Sequence, residues 1–412
     1  MGKKALILTT SGGSGLIQAA KAFEQKLLAE DPGYEVVQKE ILLDWGYKSI
    51  GRFGINYYDK IQRVGPVFAK DMSIKFIFLA DYFFWPKFFF SFLTFLLKNN
   101  VERIIDTQPV GVSALIKALR LYNWIRKKNL GLEKVIVDLP TKRSTHFFNN
   151  IRRLSRRDKK YLKIISLKPL LEDVGTEEEF WKKYAGVDMS KVSYADFFVR
   201  DAFREYEKKE IDDLPVEVTI HSDNQKETDF IASGLSFSGN EFRMGKDKFF
   251  FSFDKEAKVI TVLLGSQPAV TSTKSYVKKI IHLLKEKNYQ DKYYLFVMCA
   301  DENSLYNDIF MMIRNEKNYP KNLAIIPMPF QNEDTIAALF FRSNVTITRS
   351  GGGTILELLC ASRGKSLIHS ESVKDPMKGI PSWEAGNALY LFHAKGGEII
   401  NPQTFSERFL EC

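Results

Sequence analysis

In its second half the chain alternates short apolar runs with longer amphipathic ones, regularly enough to be read as elements. Strands are predicted at 258–264, 293–299, 323–327, 345–348 and 366–369, and helices at 272–285, 305–314, 333–341 and 354–359. Apolar runs of four to eight residues between helical patterns imply a parallel sheet covered on both faces. The first half opens the same way. A strand at 5–9 is followed by the turn Ser11-Gly12-Gly13-Ser14-Gly15 and an amphipathic run at 17–28, and further strands are predicted at 34–38, 103–106, 134–138 and 162–165. Residues 172–250 are richer in charge and lose the rhythm, which places a connection or an insertion there. The fold class expected is α/β, with two Rossmann-like domains facing a cleft: 1–240, including the charged connecting region, and 241–412.

Composition supports two ordinary cores. Of 412 residues, 45% are hydrophobic, which excludes a disordered chain. The formal charge of +10 fits an anionic partner such as a nucleotide, a nucleic acid or an acidic membrane surface. Nucleic acid is set aside because the basic residues are scattered and no recognisable binding module is present. Cys299, Cys360 and Cys412 show no paired spacing, and the first two sit in apolar contexts, so a reducing compartment is expected. The start, Met1-Gly2-Lys3-Lys4, runs into a strand without the apolar region of a secretory signal, and no stretch offers the roughly twenty apolar residues of a membrane span.

One segment approaches that limit. Residues 76–97 are dense in aromatic side chains, interrupted by Asp81, Pro86 and Lys87. Two readings are open: a pair of buried helices around Pro86, or a membrane-dipping loop and helix with Trp85 at the interface and Lys87 and Lys98 near headgroups. The basic run at 152–160 is an ordinary solvated face or a further hold on an anionic bilayer.

Three turns carry the candidate chemistry. The first is Gly12-Gly13-Ser14-Gly15 after the opening strand. The second is Gly265-Ser266-Gln267-Pro268-Ala269 after the strand at 258–264, and the third is Arg349-Ser350-Gly351-Gly352-Gly353-Thr354 with Glu357 one turn into the following helix. Glycines at a strand-to-helix turn admit close backbone approach, and the first N–H groups of the helix favour an anion. A diphosphate suits such a turn, and Glu357 lies where a ribose hydroxyl could reach it. Glycine clusters at such turns also serve simply to make a tight corner.

In this order, and with Trp383-Glu384-Ala385-Gly386-Asn387 behind them, the motifs resemble the GT-B glycosyltransferases of the branch containing MurG and the diacylglycerol glycosyltransferases. The correspondence is clearest from Gly265 to Asn387. In the first half it rests on the opening turn with Gln18-Ala19-Ala20-Lys21, on Asp106-Thr107-Gln108-Pro109 and on Val137-Asp138-Leu139. The resemblance implies a UDP-sugar donor held by Gly265, Ser266, Gln267, Ala269, Arg349, Ser350, Gly351, Gly352, Gly353, Thr354 and Glu357, with Glu384 and Asn387 on the sugar. It implies Gly13, Ser14, Gly15 and Gln108 on the acceptor side, and inverting transfer to a lipid or membrane-associated acceptor without a metal or a further cofactor. The location expected is cytoplasmic and peripheral on an anionic membrane.

The chain departs from the family at one position. The opening turn of the family ends in Gly-His, whereas here Gly15 is followed by Leu16, which cannot take a proton. Three readings stay open: a base from elsewhere, a different acceptor, or a nucleotide-binding relative without turnover that regulates or assembles. The resemblance implies Asp138 and His146 as substitutes, since the diacylglycerol enzymes have an Asp followed by a His in this region, with Asp106, also at a strand end, a third. A nucleotide-sugar epimerase of the same fold is a further alternative, since it needs no acceptor hydroxyl. His221, His282, His369 and His393 have no metal-ligand spacing.

Overall fold

A computed structural model describes residues 3–410 apart from 12–13, 65–66, 197, 211–216, 238–241, 246, 253–255, 267, 287–288 and 301–302. The chain forms two compact units. The first comprises Met1–Arg200 with Gly351–Leu356 and Pro381–Tyr390; the second comprises Asp201–Ser350, Glu357–Ile380 and Leu391–Cys412.

The first unit is built on strands β1 (Lys3–Thr9), β2 (Tyr34–Glu40), β3 (Val101–Asp106), β4 (Leu132–Val135), β5 (Leu162–Ser166) and β6 (Val192–Tyr194). They lie in the order β2-β1-β3-β4-β5-β6, every pair parallel. Ala5, Leu6, Ile7 and Leu8 are fully buried in succession, as expected for a strand with helices on both faces. Strand order reverses between β1 and β3, and ligands of open α/β sheets bind outside the carboxyl ends of strands at such a reversal. Strand β4 is shorter than the expected 134–138, so Asp138 lies in the loop beyond it.

The aromatic stretch has no break at Pro86, contrary to what both readings assumed. A single helix, Val67–Lys98, runs straight through the proline. Proline inside a helix removes one backbone bond and crowds the preceding turn, at about 3 kcal/mol. Phe84, Phe88, Phe92 and Leu96, four residues apart, form a buried stripe that offsets this cost, with Phe84 stacked on Phe88 and Trp45 packed on Phe92. Among the described residues, the opposite side is exposed. Phe68 (74% exposed) and Tyr82 (84%) stand in solvent, as does Phe53 (71%) on the adjoining helix Lys48–Val64.

In the second unit, part of the charged region expected to be a connection or an insertion carries a sheet of its own. Strands β7 (Glu217–His221), β8 (Phe242–Met244) and β9 (Lys248–Ser252) form an antiparallel sheet in the order β7-β9-β8. Phe249 and Phe251 are buried on either side of Phe250, and Phe251 meets Tyr294 and Phe296. The main sheet contains β10 (Lys258–Leu263), β11 (Tyr293–Met298), β12 (Leu323–Met328), β13 (Val345–Thr348), β14 (Lys365–His369) and β15 (Glu398–Ile400). Its order is β12-β11-β10-β13-β14-β15, again parallel throughout. Here the reversal falls between β10 and β13, the two strands that lead into the Gly265 and Ser350 turns. Both main sheets are therefore doubly wound and Rossmann-like, as the apolar pattern implied.

Candidate functional site

Beyond β4 the chain turns through Asp138-Leu139-Pro140 and enters the helix Thr145–Arg152. The Ser144 hydroxyl donates to the Leu139 carbonyl at 2.6 Å and closes that turn. His146, in the first turn of the helix, is 4% exposed, and its Nε2 lies 2.7 Å from Asp138 Oδ2. Asn387 Nδ2 donates to Asp138 Oδ1 at 2.9 Å, and the Gly352 N–H hydrogen-bonds the same carboxylate. Burial alone would favour the neutral acid, but the hydrogen bond and charge attraction of His146, with the hydrogen bonds from Asn387 and Gly352, outweigh it and hold Asp138 below its ordinary carboxylate range.

An ionised Asp138 dictates the imidazole tautomer. The carboxylate can only accept, so Nε2 carries a hydrogen and neutral His146 keeps its lone pair on Nδ1. That Nδ1 is buried and has no hydrogen-bond partner among the described residues. The two sequence-predicted candidates are thus brought together as an oriented pair with one nitrogen left over.

The third glycine turn stands against this pair. A Cβ built on Gly352 would sit 2.6 Å from the Val137 carbonyl oxygen and 2.8 Å from Asp138 Oδ1. One on Gly353 would sit 3.1 Å from Gly15 Cα, so the first and third turns abut, whereas Gly351 has no atom within 4 Å of its Cβ position. In this structure the anion met by the Gly352 N–H is the chain's own carboxylate. Ser14 opens the helix Ser14–Glu30, and the carbonyl of Leu16 accepts from the Thr107 hydroxyl at 3.2 Å. Gly13 and Gln267 lie outside the described residues.

In the second unit Gly265 has φ 91°, a left-handed conformation suited to glycine, directly after β10. Ser266 is exposed, while Ala269 is buried and its carbonyl accepts from Thr273 N–H at 2.9 Å in the first turn of the helix Val270–Glu286. Ser350 is buried beyond β13, with Arg349 half-buried before it. The helix Gly352–Ala361 carries a half-buried Thr354 and a buried Glu357; the helix Ser382–Lys395 carries a buried Glu384 and Asn387.

Gln108 and Asp106 have interior roles. Fully buried Gln108 donates from its amide to Asp106 Oδ1 at 3.0 Å and to the Val110 carbonyl, and accepts from Val110 N–H at 2.9 Å. Asp106 Oδ2 is 2.9 Å from the Lys134 ammonium, and neither side chain is exposed. Burial pushes the Asp106 carboxyl up and the Lys134 ammonium down, against their mutual attraction.

Two features escaped the sequence reading. Thr9 and Thr10, at the carboxyl end of β1, are buried with hydroxyls that have no partner among the described residues. Phe330 is 56% exposed just past the carboxyl end of β12. The available signal was a paired Thr-Thr and a Pro-Phe at strand ends, which only the sheet order marks as ligand-side. Among the described residues, no group of three or more His, Cys, Asp and Glu is placed to hold a metal ion.

No protein-family profile and no curated protein matches the chain in sequence. Solved structures resemble it in fold. Acinetobacter baumannii MurG is 13% identical, with a TM-score of 0.49 over 99% of this chain and 88% of that one. The UDP-GlcNAc 2-epimerase from Methanocaldococcus jannaschii is 10% identical, at 0.48 over 99% and 91%. The spinosyn rhamnosyltransferase SpnG complexed with thymidine diphosphate is 9% identical, at 0.46 over 100% and 88%. Likeness at this level assigns neither substrate nor acceptor to the chain.

Proposed function

We propose that the chain is a GT-B glycosyltransferase that moves a sugar from a UDP-sugar to a hydroxyl of a lipid or membrane-associated acceptor, with inversion and without a metal ion. The observation that carries this reading is the buried Nδ1 of His146, without a hydrogen-bond partner among the described residues, on a ring whose Nε2 lies 2.7 Å from Asp138 Oδ2. It supports the reading of Leu16 in which the base comes from elsewhere in the first unit. His146 Nδ1 takes the acceptor proton while the acceptor oxygen bonds to the anomeric carbon. The bond from that carbon to the phosphate oxygen breaks, and its electron pair leaves with UDP. Asp138 stays ionised and stabilises the imidazolium.

The donor reading is supported by the sheet order of the second unit, since the Gly265 and Ser350 turns follow the two strands that flank its reversal. Ser266, Ala269, Ser350 and Thr354 serve the diphosphate, with Arg349 contributing positive charge, and Glu357 accepts from the ribose hydroxyls. Phe330 offers an aromatic face to a base. The acceptor reading is supported by Phe53, Phe68 and Tyr82, bare apolar groups on a chain of net charge +10, which suit peripheral attachment to an anionic membrane on the cytoplasmic side. Among the described residues no helix is long and apolar enough to cross a membrane.

The test is transfer from labelled UDP-sugars to lipid acceptors in liposomes. His146→Ala is expected to lower kcat by about 10²- to 10⁴-fold with UDP affinity kept, and Glu357→Gln to weaken UDP binding about tenfold. UDP binding without turnover on any donor would leave the rival that Leu16 favours, a nucleotide-binding relative without transferase activity.

A further inference from the structure

We propose that Asn387 is a positioning residue for the Asp138–His146 pair and not a contact for the donor sugar. The proposal rests on the reading of His146 as the base. It reassigns the motif at 383–387, which by resemblance alone belongs to the donor.

The Asn387 side chain has no exposed surface, and its amide reaches two consecutive residues of the loop beyond β4. Its Oδ1 accepts from the Leu139 N–H at 2.8 Å and its Nδ2 donates to Asp138 Oδ1 at 2.9 Å. The Leu139 N–H can only donate, so the oxygen of the amide must face it and the nitrogen must face the carboxylate. Asparagine supplies both functions at one reach. Aspartate would set carboxylate against carboxylate, and alanine would strand the buried Leu139 N–H.

The effect on His146 follows from the two oxygens of Asp138. Oδ1 is taken by Asn387, and a Cβ on Gly352 would lie 2.8 Å from the same oxygen, which leaves Oδ2 for the imidazole 2.7 Å away. The carboxylate is thereby held against rotation with one oxygen aimed at Nε2. The helix that carries Asn387 is built to lie on this loop. A Cβ on Gly386 would be 2.3 Å from Thr141 Oγ1, and Trp383 presents its ring edge-on to His146 at 6.4 Å between centroids. Residues 383, 386 and 387 fall on one helical face. Asp71 secures the start of that helix, its Oδ1 accepting from Ser382 N–H at 2.8 Å.

The experiment uses full-length protein labelled with ¹⁵N in its five histidines, with His146 assigned from a His146→Gln variant. The imidazole nitrogens report the tautomer directly and require no turnover. In the neutral ring, the wild type is expected to show His146 protonated on Nε2 and bare on Nδ1. Asn387→Asp and Asn387→Ala are expected to show mixed tautomers, UDP-sugar affinity within twofold of wild type, and kcat lower by about 10- to 100-fold, the range for losing a hydrogen bond to a charged group. Should either variant fail to fold, Gly386→Ala, which pushes the helix off Thr141, is expected to give the same mixed tautomers. The tautomer decides the matter. An unchanged His146 spectrum in a folded variant overturns the proposal, and an unchanged spectrum with UDP-sugar affinity lost returns Asn387 to the donor. Absence of transfer in the wild type defeats the transferase reading and leaves the tautomer measurement standing.

Discussion

Gly351, Gly352 and Gly353 look equivalent in sequence, yet an alanine scan across them should give three different results. Gly352→Ala places a methyl 2.6 Å from the Val137 carbonyl oxygen and 2.8 Å from Asp138 Oδ1, with Asp138 Cα at 3.1 Å. Ordinary carbon-to-oxygen contacts start near ~3.3 Å, so a backbone shift of roughly 0.7 Å is required, and two of the three neighbours are main-chain atoms. Overpacking of this kind costs about 1–3 kcal/mol, and weakening the Gly352 hydrogen bond to an ionised carboxylate adds about 1.5–3 kcal/mol. Against this stands at most about 1 kcal/mol gained from alanine over glycine in a helix. The net expectation is a loss of about 1.5–5 kcal/mol. Gly353→Ala meets Gly15 Cα at 3.1 Å, and a loss of about 1 kcal/mol is expected. Gly351→Ala meets nothing within 4 Å and has no left-handed φ, so stability should hold or rise by about 0.4–1 kcal/mol. Urea unfolding followed by tryptophan fluorescence is suited to the test, because all five tryptophans (Trp45, Trp85, Trp124, Trp181 and Trp383) belong to the first unit. Destabilisation by Gly351→Ala equal to that by Gly352→Ala would refute the reasoning. UDP affinity supplies a second readout: if Gly351 gives a phosphate its close approach, Gly351→Ala weakens binding at unchanged stability.

Lys134→Met strands the buried Asp106 carboxylate and should cost about 3–5 kcal/mol in the same urea assay, while Lys134→Met with Asp106→Leu should recover most of that loss. Asp138 has its folded pKa depressed, so its contribution to stability is present above the unfolded carboxylate value of about 4 and is lost as pH falls through the lower folded value. Thermal midpoints of wild type and Asp138→Asn should therefore converge as pH is lowered from 6 towards 2, and a constant gap would contradict the assignment. Phe68→Ser with Tyr82→Ser, both on the bare side of the Val67–Lys98 helix, should reduce sedimentation with anionic liposomes and leave UDP affinity unchanged.

The alternation of apolar and amphipathic runs was enough to set the two doubly wound sheets, because a parallel strand buried on both faces must be apolar throughout and needs a crossover helix. Elements outside that rhythm were harder to read. In β9, Lys-Phe-Phe-Phe-Ser, the buried Phe249 and Phe251 flank a third phenylalanine, so the sequence shows no period-two alternation there. The helix through Pro86 was illegible because its stability comes from Trp45 and the buried phenylalanine stripe, not from local propensity. The candidate site divides in the same way. Asp138, His146 and the glycine turns were visible as residue types at telling places, for reasons of local chemistry: a base, a carboxylate, and backbone free to turn. Tertiary structure alone decided which of them meet. Asn387 is 249 positions from Asp138 along the chain and 2.9 Å from it in space, and Gly352 owes its lack of a side chain to that same carboxylate. Gln108, expected to face an acceptor, is enclosed instead around the Asp106–Lys134 pair. Spacing along a chain specifies the face of a helix or strand on which a residue lies. What that face touches depends on chain closure over hundreds of residues, and the orientation of His146 rests on that contact.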